Sequence, residues 1–391
     1  MKRFENIFRT IFILTLGLFC TISSLAQNEP TNEMDSVEIG LITCSPHEEV
    51  YSLYGHTAIH INHPQRHIDC IFNYGEFNFK APHFVLRFIF GKTDYNLGAA
   101  PTMPFLLYYK EWGSQVTEQI LNLTAEEKQA IIDALATNYR PENRIYRYNF
   151  FYDNCSTRPR DIIERNINGT IAYEPRADFE PSYREMINEK TMHHPWATFV
   201  NNILLGVNAD RKTTQREQHF LPENLRYDFS HAVIERGNGE KVPLVKETRQ
   251  LVAPGVQVIE EDLPFTPMQC AIFLLIVTIG ILFFETIRKK TARWFDILLM
   301  LLTGIGGLAL FIMIFSEHPA TSLNLQILVL NPLSLLFIWP VWKGRKTIWF
   351  KLSLIFIILF FIGALWQDYA EGMEIVALCL LIRSLRHYND K

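Results

Sequence analysis

Two short segments carry residues whose types could do chemistry together. They are Leu53-Tyr54-Gly55-His56-Thr57-Ala58-Ile59 and Tyr152-Asp153-Asn154-Cys155-Ser156-Thr157-Arg158. A thiol acts as a nucleophile through its thiolate, so its pKa has to be brought down. The second segment reads as a helix start over 155–165, with Asn154 as N-cap and Cys155 in the first turn, where the helix dipole favours an anion. Arg158, one turn on, adds a positive charge. Pro159 has no N–H to donate, which predicts an irregular first turn or a slightly later start. His56 opens a strand and could act as general base and then general acid. Against this stands the ordinary behaviour of each residue: a single Cys is more often a small buried hydrophobe, and Gly-His is common turn chemistry. His60, on the same strand face, competes for the base role. The two settings together single out Cys155 and His56.

The elements that must position them follow from periodicity. Residues 37–43 read as a strand broken by Ser45-Pro46. Residues 56–61 and 68–74 alternate as two arms of a hairpin joined by Asn62-His63-Pro64-Gln65. If Ile61 faces Ile68, Asn73 lies opposite His56 on the same sheet face and could orient the imidazole. Residues 84–90 are aromatic and amphipathic, and 117–123 alternate as a strand. Thr124-Ala125-Glu126-Glu127 is a capping box for a helix running to Tyr139, and 144–151 alternate again. This order predicts an α+β domain with a mainly antiparallel sheet. Cys44 and Cys70 lack a helix-start context and read as a disulfide or buried pair. His47, His63, His67, His83, His193 and His194 fall in polar loops and read as solvated.

The chain of 391 residues has a formal net charge of −4 and no basic stripe, which gives no reason to invoke nucleic acid. Its hydrophobic fraction of 48% conceals a split between a charged part, 27–263, and an apolar part, 264–391. Of six cysteines none forms a C-x-x-C pair, so neither a zinc site nor a thioredoxin-like motif is indicated. Residues 1–26 read as a signal peptide: Lys2, Arg3 and Arg9 precede an apolar stretch and Ser24-Leu25-Ala26. Cys20 is preceded by Phe19, which argues against a lipoprotein cleavage site.

Five apolar runs follow, at 268–284, 295–315, 325–341, 352–366 and 375–385. The first three, with their flanks, approach the roughly 20 residues a membrane span needs. Basic residues cluster after the first (Arg288, Lys289, Lys290, Arg293), after the third (Lys343, Arg345, Lys346) and at the end (Arg383, Arg386, Lys391). The alternate loops carry Glu317, then Asp368, Glu371 and Glu374. The positive-inside rule then puts 27–263 in the periplasm of an inner-membrane protein. His318, Asn324, Gln326 and Asn331-Pro332 read as helix-to-helix hydrogen bonding with a kink, or as a polar pocket for a lipid headgroup.

Tyr54-Gly55-His56-Thr57-Ala58-Ile59, Asn73-Tyr74-Gly75-Glu76-Phe77 and Asp153-Asn154-Cys155-Ser156-Thr157-Arg158 resemble a family of Bacteroidetes envelope proteins. Leu205-Gly206, Ala209-Asp210 and Phe220-Leu221-Pro222 share in the resemblance, which covers nearly the whole chain. Its members act as lipoprotein N-acyltransferases. The domain is similar to circularly permuted NlpC/P60 and papain-like thiol enzymes, in which the His precedes the Cys. Lecithin:retinol acyltransferases share that order and the Asn-Cys pair, but Ser156 stands where an acidic residue is expected. The resemblance implies Cys155 and His56 as a catalytic dyad, with no cofactor. It also implies a phospholipid acyl donor and a lipoprotein acceptor. Asn73, Asn154, Arg158 and Tyr74 are the candidate supporting residues. Backbone N–H groups near Asn154 and Cys155 would stabilise the oxyanion. Phe72, Tyr74, Phe77, Phe79, Phe84, Phe88 and Phe90 are ordinary core or line an apolar channel for the chain. Two other readings stand beside this one: a peptidoglycan amidase or peptidase with the same dyad, and a non-catalytic membrane-bound sensor.

Overall fold

The computed structural model describes residues 31–47, 52–77, 80, 82–237, 239–256 and 263–389. The expected signal peptide, Cys20 and Phe79 lie outside the described residues.

The first part is an α+β domain. Its strands are β1 (Glu38–Cys44), β2 (His56–His63), β3 (Ile68–Glu76), β4 (Asp94–Pro101), β5 (Val116–Leu121), β6 (Ile145–Arg147), β7 (Thr170–Ala172), β8 (Val233–Glu235), β9 (Lys241–Pro243) and β10 (Val245–Val252). Seven of them form one sheet in the order β10-β5-β1-β2-β3-β4-β6, and β7, β8 and β9 form a small second sheet. All pairings are antiparallel. The helices used below are α1 (Phe84–Ile89), α2 (Thr102–Glu111), α3 (Ala125–Tyr139), α4 (Thr157–Arg165), α5 (Tyr183–Thr191), α6 (Pro195–Leu204) and α7 (Pro222–His231). The Thr124–Glu127 capping box starts α3.

Alternation along the strands gives the sheet two apolar faces. On one, Leu41, Ile59, Ile61 and Tyr74 pack with Leu135 of α3, Ile163 of α4 and Phe229 of α7. On the other, Ile42, Cys44, Ala58 and Ile71 pack beneath Tyr109 of α2. Each such aliphatic side chain contributes about 1.5–3 kcal/mol by leaving water. The chemistry sits where β2 and β3 end, at the margin of both cores.

The hairpin closes through a 3-10 turn, Pro64–Arg66, with His67 left-handed at φ 53°. Ile59 therefore faces Phe72, and His63 faces Ile68. This pairing is displaced by two residues from the one the sequence suggests, because the turn is taken after His63 and not across Asn62. The strand expected over 144–151 is short. Only β6 pairs, and Asn149 and Asp153 then close a tight loop with backbone bonds of 3.0 and 2.9 Å.

The second part is helical: α8 (Pro267–Arg288), α9 (Arg293–Met313), α10 (Ser334–Trp342), α11 (Trp349–Gly363) and α12 (Met373–Asn389). By length and composition α8 and α9 are able to cross a bilayer. The third apolar run is not one continuous span. A 3-10 turn, Leu325–Leu328, precedes Asn331-Pro332, and only then does α10 begin. Arg383 is not a loop charge either. It is buried between α8, α9 and α12, bonded to both oxygens of Glu285 (2.8 and 2.7 Å) and to Asp296 (2.7 Å).

The polar residues around the third run bond the segment between α11 and α12, with Ala370 N–H donating to Gln326 Oε1 at 3.0 Å and Gln367 Nε2 to Asn324 Oδ1 at 2.9 Å, and they also reach the first domain. Asn324 Nδ2 donates to the Ile203 carbonyl (2.7 Å), Gln326 Nε2 to that of Asn202 (2.8 Å) and Gln367 Nε2 to that of Leu205 (3.1 Å). Gly206 and Val207 donate their N–H groups to Ala320 and Leu323 at 2.7 and 2.8 Å. At a second point His318 Nε2 donates to the Phe88 carbonyl of α1 at 2.5 Å. Arg184 braces the first contact from behind through Asp210 (2.5 and 3.0 Å) and Asn202 (3.0 Å). The helical bundle is thus hydrogen-bonded to the sheet domain at the end of α6 and at α1.

Candidate active site

Cys155 lies on the loop before α4, not inside it. Asn154 is buried and all of its side-chain bonding capacity is committed. Its Oδ1 accepts from the N–H groups of Ser156 and Thr157, each at 2.9 Å, and its Nδ2 donates to the Phe150 and Phe220 carbonyls at 2.9 and 2.8 Å. This turn consumes two of the free N–H groups that a helix start leaves. The helix therefore begins at Thr157, and Pro159 falls in its first turn, where its missing N–H has no role. Burial pushes the Cys155 thiol up to about 11, against the opposing pull of the Thr57 N–H and its own N–H, both directed at the sulfur. The lowering expected from a helix start is outweighed, and the thiol is neutral at rest.

The Thr57 bond brings the sulfur to the end of β2, next to His56. His56 Nε2 lies 2.5 Å from Asn73 Oδ1. An amide oxygen only accepts, so Nε2 carries the hydrogen and Nδ1 keeps its lone pair. In the observed register Asn73 is not opposite His56 but diagonal to it. A shift of two residues preserves the face on which a side chain projects, so the bond forms all the same. Burial lowers the His56 pKa, with the Asn73 bond and the charge of Glu76 acting the other way. Gly75 lies on the next strand, at φ +103° in a bulge, and a Cβ there would meet the Cys155 Cβ at 3.6 Å. Bulges of this kind re-aim side chains beside active sites.

Other expected members lie elsewhere. Arg158 is locked to Asp153 (2.5 and 2.7 Å) and lies 3.6 Å over the Tyr146 ring, so its charge is already matched. Tyr74 faces the opposite side of the sheet, in the core, with its hydroxyl bonded to Asn138 at 3.0 Å. The Asn154 N–H is donated to Thr157 Oγ1 (2.8 Å), so it is not available as an oxyanion donor. His60 is buried between Glu118 and Asp69, the second at 2.8 Å. His47 and His63 are buried rather than solvated, His47 stacked on Trp112 at 4.9 Å. Cys44 and Cys70 form no disulfide. Cys44 faces His56 and Cys70 faces Ile61, five residues along β2 or roughly 17 Å, far beyond a disulfide's reach. Sequence reasoning missed Thr57, whose role is played by its main chain, and Glu76, whose position depends on the bulge.

The aromatic residues divide. Phe72 and Tyr74 are core. Phe77, Phe84 and Phe88 belong to a ladder of rings: Tyr148 to Tyr95 at 4.1 Å, Tyr95 to Phe77 at 5.1 Å, then Phe84 at 6.3 Å, Phe88 at 6.1 Å and His318 at 5.3 Å. Its inner end is near enough to Cys155 for a thiolate there to oppose ionisation of Tyr95 and Tyr148. Its outer end is the loop after α9. Beside it Val85 and Leu86 are 69% and 56% exposed. On the other side a cleft of about 510 Å³, lined by Cys44, Tyr54, Gly55, Lys190 and Arg226 among others, opens next to His56.

An antiparallel α+β domain carrying a cysteine and a histidine at one strand end, fixed to a bundle of apolar helices, defines a membrane protein with a periplasmic domain. Residues 26–189 match the Lnb N-terminal periplasmic domain and residues 259–391 the Lnb transmembrane domain. The chain belongs to the Lnb family, that of the Bacteroidetes lipoprotein N-acyltransferases. Comparison with curated proteins and with solved structures gave no match.

Proposed function

We propose that this protein is a lipoprotein N-acyltransferase. It moves an acyl chain from a phospholipid, through a thioester on Cys155, to the α-amine of a diacylated lipoprotein's N-terminal cysteine. The observation that carries this reading is a half-buried thiol that receives the N–H of Thr57, the residue after His56, whose Nε2 is bonded to Asn73, in a domain hydrogen-bonded to a membrane bundle. His56 takes the thiol proton as the sulfur attacks the ester carbonyl, and returns it to the leaving glycerol oxygen. The N–H groups of Cys155 and Thr57 are the donors nearest the sulfur and suit the oxyanion, a contribution of about 3 kcal/mol per donor. The amine then attacks the thioester. The ring ladder gives the acyl chain a water-poor path from the bilayer. The domain faces the periplasm from the inner membrane, with 288–293 and 343–346 in the cytoplasm.

Mass spectrometry after incubation with phospholipid alone tests this. Wild type gains one acyl chain, which hydroxylamine removes. Cys155→Ala gains none, and His56→Ala loses activity while remaining folded. Addition of a diacylated lipopeptide with a free N-terminus discharges the adduct onto the peptide. Cleavage of peptidoglycan fragments without any lipid adduct would point to the hydrolase instead.

A further inference from the structure

The segment Asn73-Tyr74-Gly75-Glu76-Phe77 holds a charge that the mechanism above leaves unused. On a regular strand Asn73 and Glu76 would project to opposite faces. Here Tyr74 pairs with Leu97 and Glu76 with Asn96, and Gly75 is the extra residue between them. The bulge turns Glu76 to the face of Asn73 and His56. Its carboxylate then folds back over β4, above Gly98, the residue that faces Asn73. A Cβ on Gly98 would come within 1.8 Å of Glu76 Oε1 and 2.4 Å of Oε2, so the space exists only because position 98 has no side chain. The carboxylate thus flanks Asn73, which holds His56, while Cys155 lies over Gly75 between them. Glu76 bonds Asn96, is within charge reach of His56 and Arg144, and keeps an open face to solvent. Among the described residues it makes no ion pair.

We infer that Glu76 is the docking site and first proton acceptor for the primary ammonium of the acceptor lipoprotein. The inference rests on the acyl-transfer reading. In the acyl-enzyme Cys155 is an uncharged thioester and burial keeps His56 neutral, so Glu76 is the anion that an incoming cation meets. A charge-assisted bond to a carboxylate is about twice as strong as a neutral one. The protons balance. The ammonium gives one proton to Glu76, which releases it to water through its open face. The neutral amine attacks the thioester carbonyl as His56 takes the second proton. The C–S bond breaks, and His56 returns that proton to Cys155 Sγ. The amide keeps the third hydrogen.

The same chemistry is present in an ethanolamine headgroup, so the test separates donor from acceptor. Purified full-length wild type, Glu76→Gln and Gly98→Ala are loaded from phosphatidylethanolamine or phosphatidylglycerol vesicles, and the adducts are discharged with a diacylated lipopeptide or with hydroxylamine, which is uncharged at neutral pH. Glu76→Gln is expected to load normally from both lipids and to react normally with hydroxylamine. Its discharge to the lipopeptide is expected to fall by about tenfold or more, with a raised KM for the peptide. Gly98→Ala, which displaces the carboxylate without removing it, is expected to follow Glu76→Gln. Equal losses toward lipopeptide and hydroxylamine would overturn the proposal in favour of a role in positioning His56. A loading defect confined to phosphatidylethanolamine would overturn it in favour of the headgroup, and unchanged lipopeptide discharge would overturn it outright. Failure of wild type to load at all is a separate result, which removes the acyl-transfer reading and this inference with it.

Discussion

Burial does more to the Cys155 thiol than any neighbouring dipole does. Two N–H groups point at the sulfur, yet its pKa is about 11, because desolvation of a thiolate outweighs them. The resting pair is therefore thiol and neutral imidazole, and the proton moves only as the bond to substrate forms. Alkylation of Cys155 by iodoacetamide should accordingly be slow at neutral pH and rise steadily through pH 9, without a plateau at neutrality. A plateau below pH 7 would reveal a standing thiolate–imidazolium pair and contradict this account. Cys155, His56 and Asn73 could be read from the chain as candidates, since a Cys after Asn and a Gly-His at a strand start are local patterns and the hairpin's alternation puts Asn73 on the face of His56. What local pattern could not convey was the sign of the thiol's shift, which depends on how deeply the sulfur is covered by distant residues. Arg158 looked like a spare charge for the same reason: its partner Asp153 was in view, but the Tyr146 ring beneath it belongs to β6.

At the scale of elements, the second histidine of β2 shows what the sheet does with a buried charge. His60 is held by Glu118 from β5 and Asp69 from β3, and Thr102 of α2 donates to Asp69 in turn. Glu118 reaches His60 across β1 by passing over Gly40, where a Cβ would lie 2.4 Å from its Oε1. Burial acts to lower the His60 pKa, but its bonds to the two carboxylates outweigh that and raise it above the ordinary 6.5. The extra stability is thus fully present below pH 6.5 and is lost as pH rises through the higher folded value. His60→Gln should cost most on the acid side of a denaturant series run from about pH 6 to pH 9, with the gap to wild type closing as pH rises. A gap that widens toward alkaline pH would refute the assignment. The hairpin, the capped α3 and the α+β class were legible because hydrophobic period and capping chemistry are local. The neighbours of each strand were not, and β4, α2 and β10 went unrecognised. β10 joins the sheet from beyond residue 244, beside β5, and nothing short-range in the chain announces so distant a pairing.

At the scale of the whole molecule, side-chain amides bonding main-chain carbonyls help to join the sheet domain to the helical bundle at the end of α6. Asn324, Gln326 and Gln367 are all buried. Replacing Gln326 with Leu leaves the Ala370 N–H without its partner, at about 1–3 kcal/mol for a buried orphan, and leaves the Asn202 carbonyl with Arg184 as its remaining donor. Gln326→Leu should therefore expose the segment between α6 and α7 to protease in detergent while leaving the sheet core intact. It should also slow loading from vesicles more than discharge to a soluble amine; equal effects on both would argue that the joint has no part in presenting the site to lipid. The joint also acts as a ruler. A domain pinned at two points, the end of α6 and the ring ladder's outer end at His318, cannot rise or tilt to meet what it modifies. Under the acyl-transfer reading, selection then follows from height above the bilayer rather than from side-chain sequence: an amine tethered close to its own lipid anchor arrives at the level of Cys155, and one displaced outward by even a short peptide extension does not.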